Sequence, residues 1–220
     1  NAGMFGQKST IWEGGHRVPF FIHWPAGELV GGEDRGNLTA HLDVLPTLAE
    51  LCGLKLDPSR HLDGTSFADH LTNEVAKPHR DHLVVQLHGG TRFSQKEGPW
   101  VMSCVLEGKW RLLEGKALYD VSKDLMQRHD ISEKHPAVVA RLRKLYEAFW
   151  ESVSPRMIPV CLDLGNPAEN PTLLCSQDWR LETGNPPWNF AEINQYKKIT
   201  GPWHVSVTRG GKYRFTLRQF

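Results

Sequence analysis

No stretch of this sequence approaches the ~18 consecutive apolar residues that a membrane-crossing helix needs, so no membrane span is expected. No basic segment followed by an apolar one opens the chain, so no signal peptide is visible. The chain opens on Asn1 within a motif rather than on a methionine, and the expectation is a piece of a longer protein. Cysteine is sparse: Cys52, Cys104, Cys161 and Cys175 lie far apart with no CxxC pair. That argues against a zinc site, leaves disulfides open and favours free thiols. Excess charge of either sign is also missing. A formal net charge of +1 gives no electrostatic ground for a nucleic-acid partner or an anionic membrane. There is no internal repeat and no low-complexity tract. What remains is an ordinary polar-apolar mix, 40% hydrophobic and 23% charged over 220 residues, long enough to bury a core.

One stretch organises the rest: Gly6-Gln7-Lys8-Ser9-Thr10-Ile11-Trp12-Glu13-Gly14-Gly15-His16-Arg17-Val18-Pro19. It joins a lone cation to a glycine pair, whose small size and freedom to take positive φ suit a tight turn. It then leads into Phe20-Phe21-Ile22-His23-Trp24, an apolar run between prolines that reads as a buried strand. Lys8 thus sits on a loop, where ligand contacts concentrate. Glu13 and Arg17 are expected to hold the turn through an ion pair or backbone hydrogen bonds.

A helix follows, with Asp43 as its N-cap, Pro46 in its first turn and Gly53 as its stop. Its apolar stripe is Leu45, Leu48, Ala49 and Cys52. From Asp81 to Val121 the chain is strand-like: His82–Leu87, then Val101–Leu106 and Lys109–Leu113 around a Glu107-Gly108 turn, then Leu118–Val121. A long helix starts near Ser132 and runs to about Ser152, with Val139, Leu142, Tyr146, Phe149 and Val153 on one face. That stripe should pack on the preceding sheet. Beyond Pro155 the chain is rich in Pro, Asn and Trp, and Trp203–Thr208 with Tyr213–Leu217 reads as a hairpin about Gly210-Gly211.

The Lys8 stretch resembles the sulfatase family of the alkaline-phosphatase-like superfamily, where a lysine followed by Tyr/Trp-Glu-Gly-Gly-x-Arg-x-Pro contacts the sulfate ester. Ser9 stands here where a glycine is common. Asp43-Val44-Leu45-Pro46-Thr47-Leu48 and Asp63-Gly64-Thr65-Ser66-Phe67 continue the resemblance, the latter before a short helix. Trp110-Arg111-Leu112, Leu118-Tyr119-Asp120 and Asp124 carry it more loosely, since Leu125 replaces a proline and Gln127-Arg128-His129-Asp130 replaces Glu-x-x-Asn. The resemblance covers residues 1–152 and fades in the tail.

The resemblance implies an α/β fold class, α+β for this piece alone. Residues 1–54 would close an alkaline-phosphatase-like α/β catalytic domain. Residues 55–152 would form a small antiparallel sheet with a packed helix, and 153–220 a β-rich tail extension. It implies a sulfuric ester hydrolase with Lys8 as the catalytic cation. His16 is a weaker candidate, a proton donor in principle, and His88 and Arg92 are loop candidates for selecting substrate. The family's nucleophile is a formylglycine matured within Cys-x-Pro/Ala-x-Arg, and none of the four cysteines stands in that motif. Formylglycine and the calcium site are therefore expected upstream, in an N-terminal catalytic portion. A sulfated small molecule or glycan is the implied substrate, and a periplasmic or secreted setting the implied compartment. Two other readings stay open: a phosphate or phosphonate ester hydrolase of the same superfamily, and a stand-alone carbohydrate-binding or interaction module built on Trp179, Trp188 and Trp203.

Overall fold

Four short strands realise the pattern between Asp81 and Val121: β1 (His82–Gln86), β2 (Ser103–Glu107), β3 (Trp110–Leu113) and β4 (Ala117–Asp120). They form one antiparallel sheet in chain order. The computed structural model describes residues 2–72, 79–87, 98–157, 160–181, 186–187, 189–195 and 199–218. The chain divides into two units, Asn1–Leu87 with Pro99–Ser152, and His88–Gly98 with Val153–Phe220.

The register sorts the sheet's side chains onto two faces. Val105 pairs with Leu112 and Leu112 with Leu118, and these three meet Leu142 and Tyr146 of the long helix α4 (Pro136–Val153). Cys104, Leu106, Leu113 and Tyr119 face the other way and pack with Ile11 and Trp12. Both faces are covered, so β2 is buried at four consecutive residues rather than alternately. The expected turn lies one residue on, because Glu107 pairs with Trp110 across Gly108-Lys109.

The helix expected from Ser132 begins with a 3-10 turn, Ser132–Lys134, and α4 proper starts at Pro136, where a missing N–H is tolerated. Leu142 and Tyr146 are fully buried, each contributing about 1.5–3 kcal/mol of hydrophobic stabilisation. The Tyr146 hydroxyl accepts from the Trp100 backbone N–H at 2.8 Å and donates to Gln86 Oε1 at 3.1 Å. The Trp100 ring stacks on it at 3.9 Å. Tyr146 is core, as the stripe implied.

Nearer the N-terminus the structure corrects three expectations. Phe20–Trp24 is not a strand. Among the described residues its one ladder contact is an isolated bridge from Trp24 to Leu29, and Phe21 is 91% exposed. Among the described residues no neighbouring strand offers the backbone partners a buried strand requires. The helix α2 (Val44–Leu51) is present and ends at Gly53, but Asp43 does not cap it. The buried Asp43 carboxylate instead accepts from the Ala40 and Thr65 backbone N–H groups, both at 2.9 Å, and from the Arg80 guanidinium, with His79 Nε2 at 3.3 Å. It thereby pins together residues 40, 65, 79 and 80. Of the stripe on α2, Ala49 alone is buried, whereas Leu45, Leu48 and Cys52 are exposed. The short helix α3 (Ala68–Thr72) follows Phe67 as expected.

In the second unit β5 (Leu162–Leu164) pairs in parallel with β6 (Val205–Val207). The expected hairpin is absent: residues 211–218 are not a strand, and neither Gly210 nor Gly211 adopts the positive φ that a two-residue hairpin turn needs. A five-residue helix, α5 (Phe190–Asn194), is capped by Asn189, whose Oδ1 accepts from the Glu192 N–H at 2.9 Å. All four cysteines are free. Burial pushes the Cys104 thiol up to about 12 and leaves it inert, while Cys52 and Cys161 are exposed. Among the described residues no helix is long and apolar enough to cross a membrane.

Candidate functional site

The Lys8 loop is closed by one residue. Thr10 Oγ1 donates to the Gln7 carbonyl at 2.7 Å and accepts from the Gln7 N–H at 3.1 Å, and the Thr10 N–H returns to the same carbonyl at 3.1 Å. Lys8 and Ser9 form the apex. Lys8 is exposed, and among the described residues none engages its ammonium group. Ser9 adopts φ +70°, the left-handed conformation that glycine takes without strain. The loop therefore keeps its glycine-type geometry despite the serine. Ser9→Gly is expected to raise stability by about 0.5–1 kcal/mol, read from urea unfolding.

After the loop, Ile11 is buried and Trp12 lodges between Phe5 and Tyr119, at ring separations of 4.9 Å and 5.6 Å. The chain then makes one helical turn, α1 (Glu13–His16). The glycine pair is needed here for its lack of bulk and not for positive φ. A Cβ on Gly15 would lie 2.2 Å from the Thr10 carbonyl oxygen, and one on Gly14 would lie 2.7 Å from that of Phe5.

Glu13 is the anchor. It is 1% exposed, and Arg111 on β3 donates to both carboxylate oxygens, through Nε at 2.7 Å and Nη2 at 3.2 Å. Arg17 lies at 3.5 Å, and the Glu13 backbone N–H donates to Gln127 Oε1 at 2.8 Å. The expected Glu13–Arg17 pair exists, but it is the outer and weaker partner. Sequence reasoning missed Arg111 and Gln127. Arg111 shares a face with Leu106 and Tyr119, and an arginine at such an inward position needs a buried acid. That signal was available in the alternation of β3.

His16 is packed behind the turn, its Nε2 3.9 Å from Glu13 Oε2 and, among the described residues, without a hydrogen-bond partner. Burial lowers the pKa of its imidazole, Glu13 opposes this, and the Arg111 and Arg17 charges reinforce it, so His16 is neutral at pH 7. Burial pushes the Glu13 carboxyl up, but the hydrogen bonds and charge of Arg111, with the charges of His16 and Arg17, outweigh it and hold the group below its ordinary value. Both folded-state values are thus depressed, and the unfolded chain binds the extra protons. Their stabilisation is complete above the ordinary histidine value of 6.5. It falls as acidification protonates His16 in the unfolded chain, and falls again below 4.5 for Glu13. The urea midpoint is expected to drop between about pH 7.5 and about pH 5.5, and His16→Gln to flatten that interval.

The structure thus sets Lys8 on the surface and turns His16 inward to Glu13. His88 and Arg92 lie outside the described residues, as does Trp188. Trp179 and Trp203 pack edge to face at 5.7 Å, and Trp203 Nε1 donates to the Cys175 carbonyl at 2.7 Å. These two half-buried rings pack on each other rather than lying side by side as an open platform.

No protein-family model matches the chain. Among curated proteins it is 40% identical over 80 residues to an arylsulfatase of Hemicentrotus pulcherrimus, the match covering 36% of this chain and 14% of that protein. It is 39% identical over 77 residues to a steryl-sulfatase of Rattus norvegicus, covering 35% and 13%. This chain is a relative of the sulfatases. Among solved structures, Ps i-CgsB aligns with TM-score 0.57 and 26% identity over 70% of this chain and 34% of its own. The same protein in complex with k-i-k-neocarrahexaose aligns with TM-score 0.54 and 25% identity, over 68% and 32%. The likeness therefore spans a minor part of each of these proteins, and the mixed helices and antiparallel sheet agree with an α/β piece of the sulfatase fold.

Proposed function

We propose that this chain is the C-terminal portion of a sulfatase that hydrolyses sulfate esters, aryl or glycan, with Lys8 as its sulfate-binding cation. One observation carries this reading: the sulfatase-type lysine is exposed and unengaged on a loop whose base is fixed by the buried Glu13–Arg111 pair. An ammonium group held in this way offsets charge on the ester and on the leaving oxygen as the bond breaks. Because the apex is closed by Thr10 and its stem anchored to β3, the cation is pre-positioned rather than recruited.

Formylglycine and calcium supply the nucleophile and the Lewis acid in this reading. The residues of this chain fit neither group: no cysteine stands in the maturation motif, and among the described residues no three His, Cys, Asp or Glu side chains gather as a metal site. Both are assigned to the rest of the parent protein. Exposed Phe20, Phe21, Leu45 and Leu48 support this division, because large apolar side chains left in water suit burial against a further part of the enzyme. His16 is turned from the surface, which disfavours it as a proton donor to substrate. The test is release of sulfate from an aryl sulfate by the parent protein, against release of phosphate from the matching aryl phosphate. Faster phosphate release would replace this reading with the phosphate-ester one, and turnover by the 220-residue chain alone would refute a nucleophile outside it.

A further inference from the structure

The charge of the chain is near zero overall but unevenly placed. Acidic residues stop at Glu192, and beyond it stand Lys197, Lys198, Arg209, Lys212, Arg214 and Arg218 with no Asp or Glu. Arg209, Lys212, Arg214 and Arg218 are all exposed, and among the described residues none is paired with a carboxylate. Between them run Tyr213, Phe215 and Leu217, which are 40%, 72% and 93% exposed. Cations and apolar side chains are thus interleaved along residues 212–218, a surface segment that among the described residues no strand pairing consumes. At the opposite end of β6, His204 and Arg180 line a shallow groove with Gln177 and Asp178.

We propose that residues 204–218 form a docking surface for a linear sulfated polysaccharide, separate from the hydrolytic chemistry. Several unpaired cations in series match a polymer with regularly spaced anions, and binding releases the polymer's condensed counterions. Exposed aromatic rings add stacking against the apolar faces of sugar rings. A nucleic acid would satisfy the charge alone, and the choice of a sulfated glycan rests on the sulfate-ester reading of Lys8.

The test uses the 220-residue protein and calorimetric titration with a sulfated galactan oligosaccharide, its desulfated counterpart and a single-stranded DNA of equal charge. Binding of the sulfated sugar and not of the desulfated one is expected. The combined Lys212→Gln, Arg214→Gln and Arg218→Gln variant is expected to weaken it by about tenfold, with the slope of log affinity against log salt reduced by about two. Phe215→Ala is expected to weaken it about threefold without changing that slope. The matched control Lys123→Gln, Lys134→Gln and Lys144→Gln removes as many exposed charges elsewhere and is expected to bind as the unaltered chain does. Absence of sulfated-sugar binding, equal affinity for DNA, or equal loss in the control would each overturn the proposal. Retained binding with no sulfate-ester turnover by the parent protein would support the docking surface and overturn only the enzymatic reading.

Discussion

Arg111→Met is expected to cost about 3–5 kcal/mol of stability, seen as a lower urea midpoint by circular dichroism. The size follows from what is left behind. Glu13 is 1% exposed, and without Arg111 its carboxylate keeps, among the described residues, the 3.5 Å contact to Arg17, whose side chain is 62% exposed, and the 3.9 Å approach of the neutral His16 ring. An ion stranded away from water costs far more than the intact pair contributes. Glu13→Gln in the same background removes the stranded charge, so the double variant should be more stable than Arg111→Met alone. Strict additivity of the two single changes, with no coupling of about 1 kcal/mol or more, would show that the pair is not the anchor.

The second large effect is kinetic. In the parent enzyme Lys8→Ala is expected to lower kcat/KM for a sulfate ester by about 10²–10³, roughly 3–4 kcal/mol of transition-state stabilisation. Lys8 makes no contact among the described residues that folding would miss, so its removal should leave the urea midpoint unchanged. That separation distinguishes a substrate contact from a structural one. Lys8→Arg should recover part of the loss, since charge is kept while the compact ammonium geometry is not. Unchanged turnover in Lys8→Ala would remove the residue from the site.

Much of this was legible in the sequence. Strands β1 to β4 and helix α4 follow from apolar periodicity because their partners lie close along the chain, so local pattern and tertiary packing agree. The expected strand at Phe20–Trp24 and the expected hairpin at 203–217 failed for the opposite reason. An apolar run states that a segment suits burial, but a strand exists only where another backbone completes it, and β6 found β5 instead of its neighbour in sequence. Asp43 illustrates a different gap. Its position before a helix is that of a cap, yet Arg80, far along the chain, offers a charged partner that outweighs one backbone N–H. Lys8 was visible as a motif, whereas the Arg111 and Gln127 contacts that fix its loop depend on folding across the sheet.

The pairing of Glu13 with Arg111 spans 98 positions of sequence. At a synthesis rate of about 5–20 residues per second, the ribosome needs roughly 5–20 s after making Glu13 before its partner exists. During that interval Ile11 and Trp12 also lack their packing surface, because Tyr119 of β4 is made later still. The Lys8 loop is thus synthesised well before the residues that hold it. A nascent chain stalled before β3 would carry the Lys8 sequence intact and have nothing to anchor it.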